Sequence, residues 1–304
     1  MSHRSIDLDG ILIPGATPFD PETGDVDVVA LRANVRRWMA TPVRGVVIGG
    51  STGEAVLLDR DERQKSLDAA RGVVPEDRLL VAGTGAESTR MTLALTRDAA
   101  QRGADAVLVQ PPAFYKGAMT PEVLREHYLA LADDSPVPVI LYQVPLRFST
   151  LELPSGLIGE LSEHPNVVGV KDSRGDLGKL AEYVTGSRDD FQVLVGSGSA
   201  LYASLEVGAT GGILGVANLV PGWTAELHQA FRSGDQSRAG ALQEKVAPLH
   251  NGIIGAMGVP GVKFALDRLG YHGGEPRRPL RSLAAPGQQK VEELLTAAEL
   301  LGQD

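Results

Sequence analysis

Val167-Val168-Gly169-Val170-Lys171-Asp172-Ser173 is a nearly continuous apolar run that ends abruptly in charge. A strand with one face in water alternates apolar and polar residues. An unbroken run of this kind is covered on both faces, as in a parallel sheet. Runs of the same character occur at 11–19, 44–50, 79–85, 106–112, 137–145, 192–198 and 212–218. Segments of helical period separate them. Val28, Leu31, Val35, Trp38 and Met39 share one face of the first, and Leu124, Tyr128 and Leu131 share one face of the fourth. Asp59 and Glu62 have capping-box spacing, and Thr120-Pro121 supplies an N-cap followed by proline at the first helical position. Gly103 and Gly208 each stop a helix just before an Ala-led strand.

Strands that alternate strictly with helices imply a parallel sheet, and eight of them imply closure. The expected fold is α/β: a (β/α)8 TIM barrel over 1–234 with a C-terminal helical extension over 235–304. An open doubly wound sheet would want a glycine-rich phosphate fingerprint after its first strand, and none is present. In the extension, helices are predicted over 237–254, 262–269 and 288–301, with a break at Gly258-Val259-Pro260-Gly261.

Of the 304 residues 43% are apolar, enough for a sizeable core, and the net charge is −9 with the two signs interspersed. The densest basic stretches, Arg36-Arg37 and Arg277-Arg278, are too short for a nucleic-acid footprint. The chain has no cysteine, which removes disulfides, thiolate metal sites and a cysteine nucleophile together. No apolar run reaches the ~18 residues of a membrane span, and the polar segment 1–10 lacks a signal-peptide core. A cytoplasmic location is expected.

Reacting groups in such a barrel come from the C-terminal ends of the strands. Lys171 ends the sixth. A lysine there can snorkel to solvent, or it can be desolvated and serve as an amine nucleophile that forms a Schiff base. Tyr142 ends the fifth, as a core aromatic or as a proton shuttle beside an imine. Arg147, just beyond, is a surface residue or a fork for a carboxylate. Gly49-Gly50-Ser51-Thr52-Gly53-Glu54 follows the second strand; it is a plain turn, or a cradle whose amides and hydroxyls hold a carboxylate. Glu54 reads as structural. Gly196-Ser197-Gly198-Ser199 ends the seventh strand with no basic residue flanking it in sequence.

Gly50-Ser51-Thr52-Gly53-Glu54, Tyr142-Gln143-Val144-Pro145 and Gly169-Val170-Lys171-Asp172-Ser173 together resemble the N-acetylneuraminate lyase and dihydrodipicolinate synthase superfamily, in the right order over essentially the whole chain. The resemblance implies a closed barrel with a C-terminal helical domain and a homotetramer built as a dimer of dimers. It implies that Lys171 forms an imine with pyruvate, that Tyr142 shuttles protons, and that Ser51 and Thr52 hold the pyruvate carboxylate and join the relay. Tyr115 would reach across the tight dimer interface into the partner's site. Gly196 and Ile213 would line the pocket near the imine, and Arg147 would bind the second substrate's carboxylate. Within the superfamily, Glu87-Ser88-Thr89, Lys171-Asp172-Ser173 and Gly258-Val259-Pro260-Gly261-Val262-Lys263 look like the 4-hydroxy-2-oxoglutarate aldolase branch, and Ser173 fits that branch. Arg147 points instead to the synthase, although synthases usually continue arginine-threonine-glycine where this chain reads Arg147-Phe148-Ser149.

The expected chemistry joins or splits pyruvate and an aldehyde without metal or organic cofactor. The aldehyde stays open among a hydroxy-oxoglutarate fragment, aspartate semialdehyde and a deoxy sugar acid fragment, with Arg147, Phe148, Ser173 and Leu214 setting pocket depth. Metal-dependent aldolases need histidines or clustered carboxylates at strand ends, whereas His3, His127, His164, His228, His250 and His272 all fall in helices, loops or the C-terminal region. A phosphosugar enzyme using 196–199 and a non-catalytic barrel are competing functional classes.

Overall fold

The computed structural model describes residues 6–301. The start of the polar N-terminal segment, 1–5, and the end of the predicted extension, 302–304, lie outside them. Strands β1 (Ile11–Pro14), β2 (Gly45–Ile48), β3 (Leu79–Gly83), β4 (Ala106–Val109), β5 (Val139–Gln143), β6 (Val167–Asp172), β7 (Gln192–Val195) and β8 (Gly211–Ile213) close into one barrel in chain order. Every pair is parallel, and β1 pairs with β8. The strands stop sooner than the apolar runs do. The tails of those runs form the loops at the top of the barrel.

Helices α1 (Val28–Met39), α2 (Arg60–Arg71), α3 (Thr89–Gln101), α4 (Pro121–Asp134), α5 (Ser155–Ser162), α6 (Leu177–Gly186), α7 (Leu201–Glu206) and α8 (Pro221–Arg232) alternate with the strands. The local signals act as read: Asp59 and Glu62 form a reciprocal capping box, and Thr120 caps α4 ahead of Pro121. Leu31, Val35, Trp38 and Met39 of α1 are buried against the barrel wall.

Beyond α8 the structure departs from the sequence reading. Helix α9 (Gln236–Leu249) ends early and passes through a π-helical turn, His250–Gly255, into α10 (Ala256–Arg268). Pro248 inside α9 removes one amide from the ladder, which accounts for the interruption at this point. The predicted break at 258–261 is confined to Gly258, whose φ of 63 kinks the helix. Helix α11 spans Ala285–Ala297, with Pro286 in its first turn, ahead of the predicted start at 288. Among the described residues no helix is long and apolar enough to cross a membrane.

Two apolar layers hold the barrel. Leu12, Val47, Val81, Leu108, Ile140 and Ile213 fill its interior. Their neighbours Ile13, Val46, Leu80, Val107 and Val193 pack outward under the helices. Strand β6 breaks this alternation once. Val139 pairs with Val167 but Ile140 pairs with Gly169, so Val168 is an extra residue, a β-bulge. Val167 and Val170 face the helices, and Val168 faces the interior. Counted by twos from Val167, Lys171 would point outward; the extra residue turns it inward.

The C-terminal helices are tied to the barrel by a fully buried ion pair. Lys263 of α10 is 0% exposed, and its Nζ donates to Glu54 Oε1 at 2.8 Å, Thr17 O at 2.9 Å and Glu275 O at 2.8 Å. These three acceptors satisfy the three ammonium hydrogens. Glu54 Oε2 accepts from Arg277 N at 2.7 Å. Glu54 is thus committed to structure, as its sequence context implied. Replacing one partner leaves the other charge buried and unpaired, so Lys263→Met is expected to cost about 3–5 kcal/mol in denaturant unfolding. Adding Glu54→Gln to that variant should recover part of the loss; a double variant worse than the sum of the singles would refute the pairing.

Candidate active site

Lys171 and Tyr142 are register partners across β5 and β6, near the C-terminal ends of both strands. Lys171 is 5% exposed, and its Nζ lies 4.2 Å from the centroid of the Tyr142 ring. The phenol oxygen of Tyr142 lies 3.4 Å from Ser51 Oγ. Ser51 sits in the turn that leaves β2 through Gly49, whose φ is 74. The backbone N–H groups of Ser51 and Thr52 have no protein acceptor among the described residues, so both are free to bind an anion.

Ser173 follows β6, and Gly196 follows β7 beside it. A Cβ on Gly196 would overlap Ser173 Oγ, so the glycine is what lets the Ser173 hydroxyl sit where it does. A cavity of about 340 Å³ opens here, lined by Ser51, Thr52, Tyr142, Lys171, Ser173, Gly196, Ile213, Arg147 and Phe148. Its size suits a small metabolite. Asp172, next to the lysine, faces the other way. Its carboxylate accepts from Arg174 N at 2.6 Å and Tyr183 Oη at 3.4 Å, which pins the β6–α6 connection. Burial pushes its carboxyl above the ordinary value despite these donors.

Two residues singled out in the sequence lie off this cavity. Tyr115 does not line the cavity of its own chain. It is 72% exposed and packs edge-on against Phe114, whose amide is held by Glu87 Oε2 at 2.9 Å. Leu214, against expectation, does not set pocket depth. Ile213 takes the interior position, so the next residue alternates outward into the helix layer.

The structure also brings in residues that strand-end reasoning missed. His250, Asn251, Ile254, Gly255, Gly258, Val259 and Val262 form one wall of the cavity from the π-helical turn and α10. Arg147 Nη1 donates to Ile254 O at 2.9 Å and Gly255 O at 2.7 Å, which fastens that turn over the barrel mouth. Arg174 lines the cavity as well. The 196–199 turn, which lacks basic neighbours in sequence, therefore has them in space. The visible signal is Pro248 followed by His250-Asn251-Gly252, a helix interruption carrying polar residues. Among the described residues, no three His, Cys, Asp or Glu side chains cluster as a metal site.

The electrostatics centre on Tyr142. Burial raises its phenol, but the Lys171 ammonium and hydrogen bonds with Ser51, Ser173 and Lys171 outweigh burial and hold it below the ordinary tyrosine value. Removing the cation as Lys171→Met leaves only the Ser51 and Ser173 hydrogen bonds against burial, so the Tyr142 pKa should rise from its value in the unaltered protein. Ultraviolet titration of phenolate, with Tyr142→Phe in the same background to assign the signal, tests this. An unchanged titration would mean that Lys171 does not govern the phenol.

The sequence pattern of the Dihydrodipicolinate synthetase family matches residues 7–298. A probable 4-hydroxy-2-oxoglutarate aldolase, mitochondrial, of Emericella nidulans is 36% identical over 301 residues, covering 98% of this chain and 96% of its own. A 4-hydroxy-tetrahydrodipicolinate synthase of Thermodesulfovibrio yellowstonii is 34% identical, covering 96% of this chain and 99% of its own. The crystal structure of the chloride-inhibited dihydrodipicolinate synthase from Acinetobacter baumannii complexed with pyruvate is 31% identical, with a TM-score of 0.92 over 97% of this chain and 100% of that one. These likenesses run through all eight barrel strands and the helices beyond them, and the chain therefore belongs to the dihydrodipicolinate synthetase family of enzymes.

Proposed function

We propose that this chain is a class I lyase that cleaves 4-hydroxy-2-oxoglutarate to pyruvate and glyoxylate through a Schiff base on Lys171. The observation that carries the reading is the buried, inward-facing amine of Lys171 set against Tyr142, with Ser51 on the phenol. Lys171 in its neutral form attacks the keto carbon. Tyr142 delivers the proton with which the carbinolamine oxygen leaves as water, and a protonated imine remains. Tyr142, now phenolate, takes the proton of the C4 hydroxyl. The C3–C4 bond breaks, its electron pair flows into the imine to give an enamine, and glyoxylate departs. Reprotonation at C3 and hydrolysis free pyruvate and restore the amine. Ser51 and Thr52 hold the pyruvate carboxylate through their free amides and hydroxyls, Ser173 and Gly196 border the reacting carbons, and Ile213 closes the floor.

The charge of the lining supports a substrate with two carboxylates. Lys171, Arg147 and Arg174 border the cavity, and no aspartate or glutamate does so among the described residues. Aspartate semialdehyde carries an ammonium that such a wall does not match, which favours the aldolase over the synthase. The synthase is the second reading, favoured by Arg147 at the cavity mouth. Exposed Phe114 and Tyr115 support an assembly, a dimer within a homotetramer, in which a second copy brings Tyr115 to this site.

Incubation with pyruvate and sodium borohydride, followed by peptide mapping, should place one reduced pyruvate on Lys171, and none on a Lys171→Ala variant. Pyruvate release from 4-hydroxy-2-oxoglutarate should then exceed condensation of pyruvate with aspartate semialdehyde. An adduct on another residue, or none, would overturn the Schiff-base assignment; faster condensation would make the protein a synthase.

A further inference from the structure

The turn after β7 and the π-helical turn share a hydrogen-bond chain whose polarity is set by the backbone. Gly198 N–H donates to His250 Nδ1 at 3.1 Å. A ring nitrogen that accepts carries no proton, so the neutral imidazole holds its hydrogen on Nε2. That nitrogen lies 3.2 Å from Ser197 Oγ and donates to it. Burial, helped by the positive charge of Arg147, lowers the His250 pKa to about 4 and keeps the ring neutral.

Ser197 Oγ lies 3.0 Å from Ser199 Oγ. The two hydroxyls have two protons and one mutual hydrogen bond. Because His250 donates into the pair rather than accepting from it, one O–H is left without a protein acceptor among the described residues. The opposite tautomer would consume that proton and leave only lone pairs. Ser197, Ser199 and His250 all line the cavity. Lys171 is level with Leu194 on β7, so both serines lie farther along the chain, past the level of the imine and toward the mouth.

We infer that His250 is a positioning residue: it orients the Ser197–Ser199 pair as a hydrogen-bond donor to the distal carboxylate of the substrate, and so selects an anionic over an apolar end group. This rests on the reading of the site as a pyruvate lyase. Arg147 and Arg174 add charge on the same cavity, while the serine pair adds a directed donor.

The test compares cleavage of 4-hydroxy-2-oxoglutarate with that of 4-hydroxy-2-oxovalerate, in which a methyl group replaces the distal carboxylate. Ser199→Ala, His250→Leu and His250→Gln are assayed, with borohydride trapping of pyruvate alone as the report that the lysine site is intact. For Ser199→Ala and His250→Leu, kcat/KM on the dicarboxylate should fall about 10- to 100-fold, the range for a hydrogen bond to a charged group, with a much smaller fall on the methyl compound. His250→Gln, whose amide still donates to Ser197, should recover most of the loss. Equal losses on both substrates, no loss on the dicarboxylate, or failure of the glutamine variant to recover would each overturn the inference. Absence of trapping in the unaltered protein would overturn the underlying reading instead.

Discussion

A β-strand sends successive side chains to opposite faces, and the active site depends on the one place where β6 departs from that rule. With strict alternation Val167 and Lys171 would share a face, and Val167 faces the helices. The extra residue at Val168 reverses the parity for the rest of the strand. Lys171 then meets Tyr142 inside the barrel, and Asp172 turns to the helix layer, where Tyr183 and the Arg174 amide receive it. A carboxylate in place of the amine could form no imine, so the direction of this one strand decides whether the cavity can support the proposed Schiff-base chemistry.

Around that pair the site is assembled from two sources. The barrel supplies Lys171, Tyr142 and the Ser51–Thr52 turn. The segment after α9 supplies the opposite wall, fastened by Arg147 through the Ile254 and Gly255 carbonyls. The division matches what each can do best. Strand ends are held by hydrogen bonds on both sides and place atoms accurately, whereas a π-helical turn exposes extra backbone groups and can be shaped to a particular ligand.

This division also explains which parts are legible in the amino-acid order. The eight apolar runs, the caps at Asp59 and Thr120, and the grouping of Ser51, Tyr142 and Lys171 at strand ends are local or periodic signals, and they read directly. The bulge is legible only as an oddity, Gly169 inside a strand. That glycine is required because any Cβ there would collide with the Gln192 carbonyl of β7. His250 and the wall of α10 reach the cavity by tertiary packing across long stretches of chain, for which a single sequence offers no period, whereas Arg174 sits only two residues past β6. Leu214 is misplaced for a smaller reason: one residue of register at the end of β8 exchanges interior for exterior.

The ion pair between Glu54 and Lys263 joins residues 209 apart in sequence, and the amide of Arg277 lies farther along still. On the ribosome, the turn that carries Ser51 and Thr52 is made 209 residues before the lysine that neutralises its glutamate. Strand β8 is complete 50 residues before Lys263 is added, and until then the turn carries an unpaired carboxylate. The Ser51–Thr52 turn therefore reaches its final set of contacts only after all eight barrel strands have been made.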